Sequence, residues 1–185
     1  MRFEVLLVIA VFGFTIIAAT SPQAFAASDY FLKIDGIDGE SKDDKHKGEI
    51  QIESWSFGAS QSSSMAMGGG GGAGKVSVQD ISITKSMDKA SPKLFEALAT
   101  GKHIKEAKLT LRKAGGDQHE YLTITLTDVL ISSYSTGGSS GEDRPTESLS
   151  LNFAQIKMSY VEQDASGRAG TAVEFGWDLK QNKKV

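Results

Sequence analysis

The feature that most constrains this chain is a repeated change of parity in its alternating apolar positions. Within residues 49–84, Ile50 and Ile52 fall on one face of an extended segment, whereas Trp55 and Phe57 fall on the other. Val76 and Val78 are followed in the same way by Ile81 and Ile83. A strand changes its apolar face through a β-bulge or by bending from one sheet into another. Small β-barrels turn their corners in this manner. The two runs are separated by QSSSMAMGGGGGAGK, a Ser, Met and Gly stretch with nothing to contribute to a core.

The remainder of the chain repeats the theme. Tyr30, Leu32 and Ile34 alternate in a first strand, followed by a polar, Gly-punctuated loop over residues 36–48. Ser91 as N-cap, Pro92 at the first helical position and Gly101 as a C-terminal cap delimit one short helix. Its apolar stripe is Leu94, Phe95 and Leu98. Ala107, Leu109 and Leu111 form another strand, and Leu122, Ile124 and Leu126 alternate with threonines in the next. Leu149, Leu151 and Phe153 switch to Ile156, Met158 and Tyr160, and Val173, Phe175, Trp177 and Leu179 alternate in the last strand. The expected fold is mainly β: a small β-barrel of two antiparallel sheets with one short flanking α-helix.

Residues 1–26 are a different material. Arg2 precedes an apolar run over residues 5–17, and Ala24 and Ala26 offer a small-x-small cleavage site before Ala27. This is the layout of a secretory signal peptide, giving a mature domain of residues 27–185 with no stable membrane span after cleavage. The mature protein is then expected outside the cytoplasm, in the periplasm or beyond the cell.

Composition removes several function classes. The chain has 185 residues, which suits one folded domain, and a formal net charge of -3. That balance offers no attraction to nucleic acid or an anionic membrane. With no cysteine, thiol catalysis, disulfides and Cys-ligated zinc are excluded. Residues 69–75 match the start of a phosphate-binding loop, but Val76 stands where Ser or Thr must hold magnesium, and a strand pattern follows instead of a helix. Gly137 to Gly141 matches a nucleophile elbow, yet His46, His103 and His119 all precede Ser139, the wrong order for its base. Two Ser-x-x-Lys tetrapeptides, ending at Lys85 and Lys89, lack the companion elements of serine acyltransferases. The acids Asp35, Asp38, Glu40, Asp43 and Asp44 do not have EF-hand spacing and are interleaved with lysines. These residues predict no enzyme, no metal and no cofactor.

The stretch WSFGASQSSSMAMGGGGGAGKVSVQDISITKSMDKASPKLFEAL resembles the Hcp family, the tube subunit of bacterial type VI secretion. The resemblance continues through GKHIKEAKLTLRKAGG, STGGSSGEDRPTESLSLNFAQIK and GWDLKQN, and spans essentially all of residues 28–183. It implies a homohexameric ring that stacks on further rings into a hollow tube. A contractile sheath, a spike protein of the VgrG type and small effectors carried in the lumen are the implied partners. Such a subunit catalyses nothing and works through its surfaces.

On pattern, Trp55 and Phe57 point to the core and leave Ser54 and Ser56 outside. By resemblance that face lies toward the lumen, which makes Ser54 and Ser56 the candidate cargo contacts. The loop carrying Ser64, Met65, Met67, Gly68, Gly70, Gly72 and Lys75 resembles the extended segment that family members use between rings, and its methionines suit an adaptable contact. Residues 1–26 depart from the family, whose members leave the cytoplasm through their own apparatus. The alternative is therefore an exported Hcp-like ring or binding module, independent of contraction.

Overall fold

A computed structural model describes residues 28–61, 75–114, 118–164 and 167–185. The strands are β1 (Ser28–Ile34), β2 (Ile50–Ile52), β3 (Ser54–Ser56), β4 (Ala59–Gln61), β5 (Val76–Val78) and β6 (Ile81–Ser86). Helix α1 (Ser91–Thr100) comes next, followed by β7 (Ile104–Lys113), β8 (Glu120–Gly137), β9 (Thr146–Gln163), β10 (Ala169–Asp178) and β11 (Lys183–Lys184). Every pairing is antiparallel.

Nine strands form one sheet in the order β11-β10-β9-β8-β7-β1-β2, with β6 joined to β9 and β3 joined to β6. The sheet branches at β9. One flank of β9 is paired with β8 from Leu122↔Tyr160 to Gly137↔Thr146. Its other flank holds β6 along residues 146–151 and β10 from residue 155 onward. The change of neighbour coincides with the change of parity, since Leu149, Leu151 and Phe153 are buried before it and Ala154 and Ile156 after it. On β8 the same shift runs from Ile124 and Leu126 to Val129 and Ile131, through Asp128 at φ 55. Asp128 is held there by His103 Nδ1 at 2.7 Å and Lys180 Nζ at 2.5 Å.

The expected closed barrel is not what forms. β2 pairs with β1 at one end of the sheet, and β3, one residue later, pairs with β6 at the other. Glu53 carries the chain across, its amide bonded to the Thr84 carbonyl at 2.8 Å. No ladder joins β2 to β6, so the two ends are tied by the covalent chain and not by a run of paired strand. The parity change between Ile52 and Trp55 is this handover. Likewise, β5 pairs with β4 in a separate two-stranded arm, while β6, three residues on, belongs to the main sheet.

The inner face of the sheet is filled by branched aliphatics, among them Leu32, Ile50, Ile83, Leu109, Ile124 and Leu149. Helix α1 presses Leu94 and Ala97 onto that core. Phe95, expected on its buried stripe, is 56% exposed and lies with its ring 5.7 Å from that of Tyr134. Ala97 fills the place the phenylalanine was expected to fill. Ser91 is the first helical residue and not the cap; Ala90 flanks it, with its amide bonded to Asp88 Oδ1. Gly101 closes the helix in the left-handed region at φ 60, a conformation that costs a residue without Cβ little.

The polar loop over residues 36–49 is packed, not free in solvent. It folds over the outer side of β1, where His46 stacks on Phe31 at 4.1 Å with planes 9° apart. Arg112 lies over the same ring, its Cζ 4.9 Å from the centroid. Two of the loop's acids are engaged by the protein itself: Asp43 Oδ2 pairs with Arg112 Nη2 at 2.7 Å, and Glu40 accepts the Lys89 amide. Gly39 permits the loop's return, because a Cβ there would sit 2.4 Å from the Glu49 carbonyl oxygen.

Candidate functional site

The enzymatic readings fail on geometry as well as on sequence. Ser139 sits in the turn between β8 and β9, its carbonyl accepting from the Glu142 amide. A strand, β5, follows Lys75 directly. Lys85 is buried between Glu147 Oε2 at 2.7 Å and Asp88 Oδ1 at 2.8 Å. Ser91 Oγ donates to the same Glu147 oxygen at 2.8 Å, and Tyr134 Oη donates to its other oxygen at 2.5 Å. Burial pushes the Glu147 carboxyl up, but the bonds from Lys85, Tyr134 and Ser91 outweigh it and hold it below its ordinary value. This cluster fastens the start of α1 to the sheet, with Lys85 and Glu147 fully buried. Among the described residues no group of His, Asp and Glu is arranged to hold a metal ion.

What remains are surfaces. Ser54 and Ser56 are exposed on β3, while Trp55 and Phe57 pack against the core, as the alternation requires. Ser64, Met65, Met67, Gly68, Gly70 and Gly72 lie outside the described residues, as do Ala24, Ala26 and Ala27 of the cleavage site. Lys75 is exposed where β5 begins.

The second surface was not singled out from the sequence. On β10, Val173 is 71% and Phe175 51% exposed, and Tyr160, opposite Val173 on β9, is 49% exposed. These side chains share the parity of the core face, but none of the described residues covers this corner of it. The β4–β5 arm leans partway across and leaves a cleft of about 290 Å³ walled by Phe57, Val78, Met158, Phe175 and Trp177. Trp177 Nε1 is buried there without an acceptor among the described residues. β11 pairs with Trp177 and Asp178, so among the described residues the outer edge of β10 from residue 169 to 175 has no strand beside it. The alternation of Val173 and Phe175 was legible; their exposure was not, because a core strand has the same pattern.

The sequence model of the family described as "Type VI secretion system effector, Hcp" matches residues 31–160. The chain belongs to the Hcp family. It is 58% identical to Protein hcp1 of Pseudomonas aeruginosa over 158 residues, which make up 84% of this chain and 98% of that protein. A solved type six secretion system protein superposes with a TM-score of 0.81 at 36% identity, covering 86% of this chain and all of that one. Hcp1 from Salmonella typhimurium superposes with a TM-score of 0.72 at 44% identity, over 86% of this chain and 99% of that one. The chain thus takes the Hcp role: a structural, ring-forming subunit of the conduit for effectors, and not an enzyme.

Proposed function

We propose that this Hcp subunit closes a six-membered ring by setting the uncovered corner of β9 and β10 against a neighbouring copy, and that the rings stack into a tube. The observation that carries the reading is the exposed row of Tyr160, Val173 and Phe175 beside an unpaired strand edge. An apolar row next to free backbone N–H and C=O groups favours association, and a lone monomer would expose it to non-specific pairing. A ring requires two different complementary faces on each subunit, and this corner supplies one of them. The face bearing Ser54 and Ser56 is turned to the lumen, where passengers travel. Ser64, Met65, Met67 and Lys75 are the candidate contacts with the next ring, and the sheath and a VgrG-type spike complete the assembly.

The test is the variant Val173→Asp with Phe175→Asp, whose side chains are solvent-facing in one subunit and buried in the proposed ring. Its mass should drop to that of one subunit while its thermal midpoint as a monomer stays close to the parent's. A ring that survives both substitutions overturns this placement.

A second reading rests on residues 1–26, which lie outside the family match that begins at residue 31. In it the signal segment is removed before Ala27 and the domain acts as an exported ring or binding module without contraction. N-terminal mass analysis of the protein recovered from the periplasm or the medium decides between the two. A chain beginning at Ala27 supports export; one retaining residues 1–26 contradicts it.

A further inference from the structure

The chain enters β1 beside the uncovered corner of β9 and β10. Pairing carries one row of the core face across five strands: Tyr30 on β1, Leu111 on β7, Leu122 on β8, Tyr160 on β9 and Val173 on β10. Ser28 stands two residues before Tyr30 with the same parity, and Tyr121 Oη donates to its Oγ at 3.4 Å. Ser28, Tyr121, Tyr160 and Val161 wall a single hollow of about 330 Å³. Whatever precedes Ser28 therefore leaves the sheet at the hollow from which Tyr160 begins the exposed row.

The large apolar side chains left exposed among the described residues are Phe95, Tyr160, Val173, Phe175 and Val185. All but Phe95 gather at this corner, Val185 through its amide bond to the Gly176 carbonyl on β10. The segment that joins Ser28 has the matching composition. Residues 5–17 are apolar except for Gly13 and Thr15 and carry no charge. Residues 18–27 then form a connection that extends to about 33 Å. From β1 to β10 the row crosses four strand spacings, about 19 Å. The apolar run thus reaches the whole row from where the chain ends its first strand. Its tether also gives it an advantage over a neighbouring copy: a short flexible connection supplies an effective concentration in the millimolar range.

We infer that, in a chain that retains residues 1–26, the apolar run 5–17 lies on Tyr160, Val173 and Phe175 of its own subunit and closes that face to a neighbouring copy. Removal of the segment before Ala27 uncovers the face. Ring formation is thereby confined to chains that have lost the segment, and subunits that still carry it stay single. The docking is driven by burial of apolar surface on both sides. Its consequence for assembly rests on the reading of this corner as a ring face; the docking itself does not.

The experiment uses the full chain, residues 1–185, with a site-specific protease sequence placed between Ala26 and Ala27. Light scattering should give the mass of one subunit before cleavage and six times that mass after it, once the released peptide has lost its tether and is diluted to micromolar concentration. Docking is read separately. The chain has no cysteine, so an engineered pair reports proximity without background. The variant Ile9→Cys with Val173→Cys should form an intramolecular disulfide at least about tenfold faster than Ile9→Cys with Glu174→Cys. Glu174 is the next residue on β10 and pairs with Lys157 on the opposite face, so it serves as the control. Rings formed by the uncleaved chain, equal disulfide rates at the two positions, or disulfides between chains would each overturn the inference. If cleavage leaves a single subunit while the Val173 pair still closes faster, the ring-face reading falls and the docking stands.

Discussion

Lys85 and Glu147 face each other from neighbouring strands with Nζ 2.7 Å from Oε2, and neither side chain reaches solvent. The pair sits on the inner face of β6 and β9 beside the first turn of α1, which Ser91 brings to the same oxygen. Removing one charge strands the other in a low-dielectric interior. Lys85→Met should therefore cost about 3–5 kcal/mol of stability. Replacing both, as Lys85→Met with Glu147→Leu, should recover part of that loss and no more, since Asp88 also loses its Lys85 partner and Ser91 and Tyr134 lose their acceptor. Urea unfolding of the isolated subunit measures both, and equal losses in the single and double variants would contradict the account.

Tyr134 completes the same cluster and makes it sensitive to alkali. Burial first, and then the Glu147 carboxylate, push its phenol up to about 12. A raised acid favours the folded state while it stays protonated. The contribution is full below the ordinary tyrosine range near pH 10 and is lost as pH rises toward 12. The thermal midpoint should fall across that interval in the parent and fall less in Tyr134→Phe, which in turn starts lower because Glu147 loses a donor. Parallel alkaline profiles for the two proteins would remove Tyr134 from the explanation.

Acid probes the opposite side of β1. The Arg112 guanidinium, bonded to Asp43, holds that carboxyl down at about 2 against the burial that raises it. A depressed acid stabilises the fold above its unfolded pKa near 4, and that contribution is lost as pH falls toward 2. Asp43→Asn should accordingly flatten the stability profile between pH 4 and pH 2 while leaving its slope at neutral pH unchanged. Arg112 is then left with Asp29, 2.9 Å from Nη2, as its remaining charge partner. Midpoints recorded against pH by circular dichroism check this, and an unchanged acid limb contradicts it.

The sequence carried the strands and their changes of face, because both follow from period-2 alternation. Ile52 to Trp55 and Phe153 to Ile156 were visible as shifts and proved to be the places where strands change neighbours. Closure was not visible. Whether a sheet joins its own edge depends on a ladder between β2 and β6, and three-residue strands carry too little pattern to specify one. The arm strand β4, Ala59–Gln61, has no apolar alternation to announce it. Nothing in the sequence marks His46 and Arg112 as buried, because their burial is made by partners distant in the chain, Phe31 and Asp29. Ser54 and Ser56 were legible as an outward pair. Nothing local separates the exposed Val173 and Phe175 from core residues of the same alternation.

The most direct measurement of the central claim is the solution mass of residues 27–185 by light scattering after size exclusion, with electron micrographs of the same peak. The account predicts six times the subunit mass and annular particles with a central hole. A single-subunit mass that persists at high concentration would contradict it, and would leave the corner of Tyr160, Val173 and Phe175 without the neighbour assigned to it.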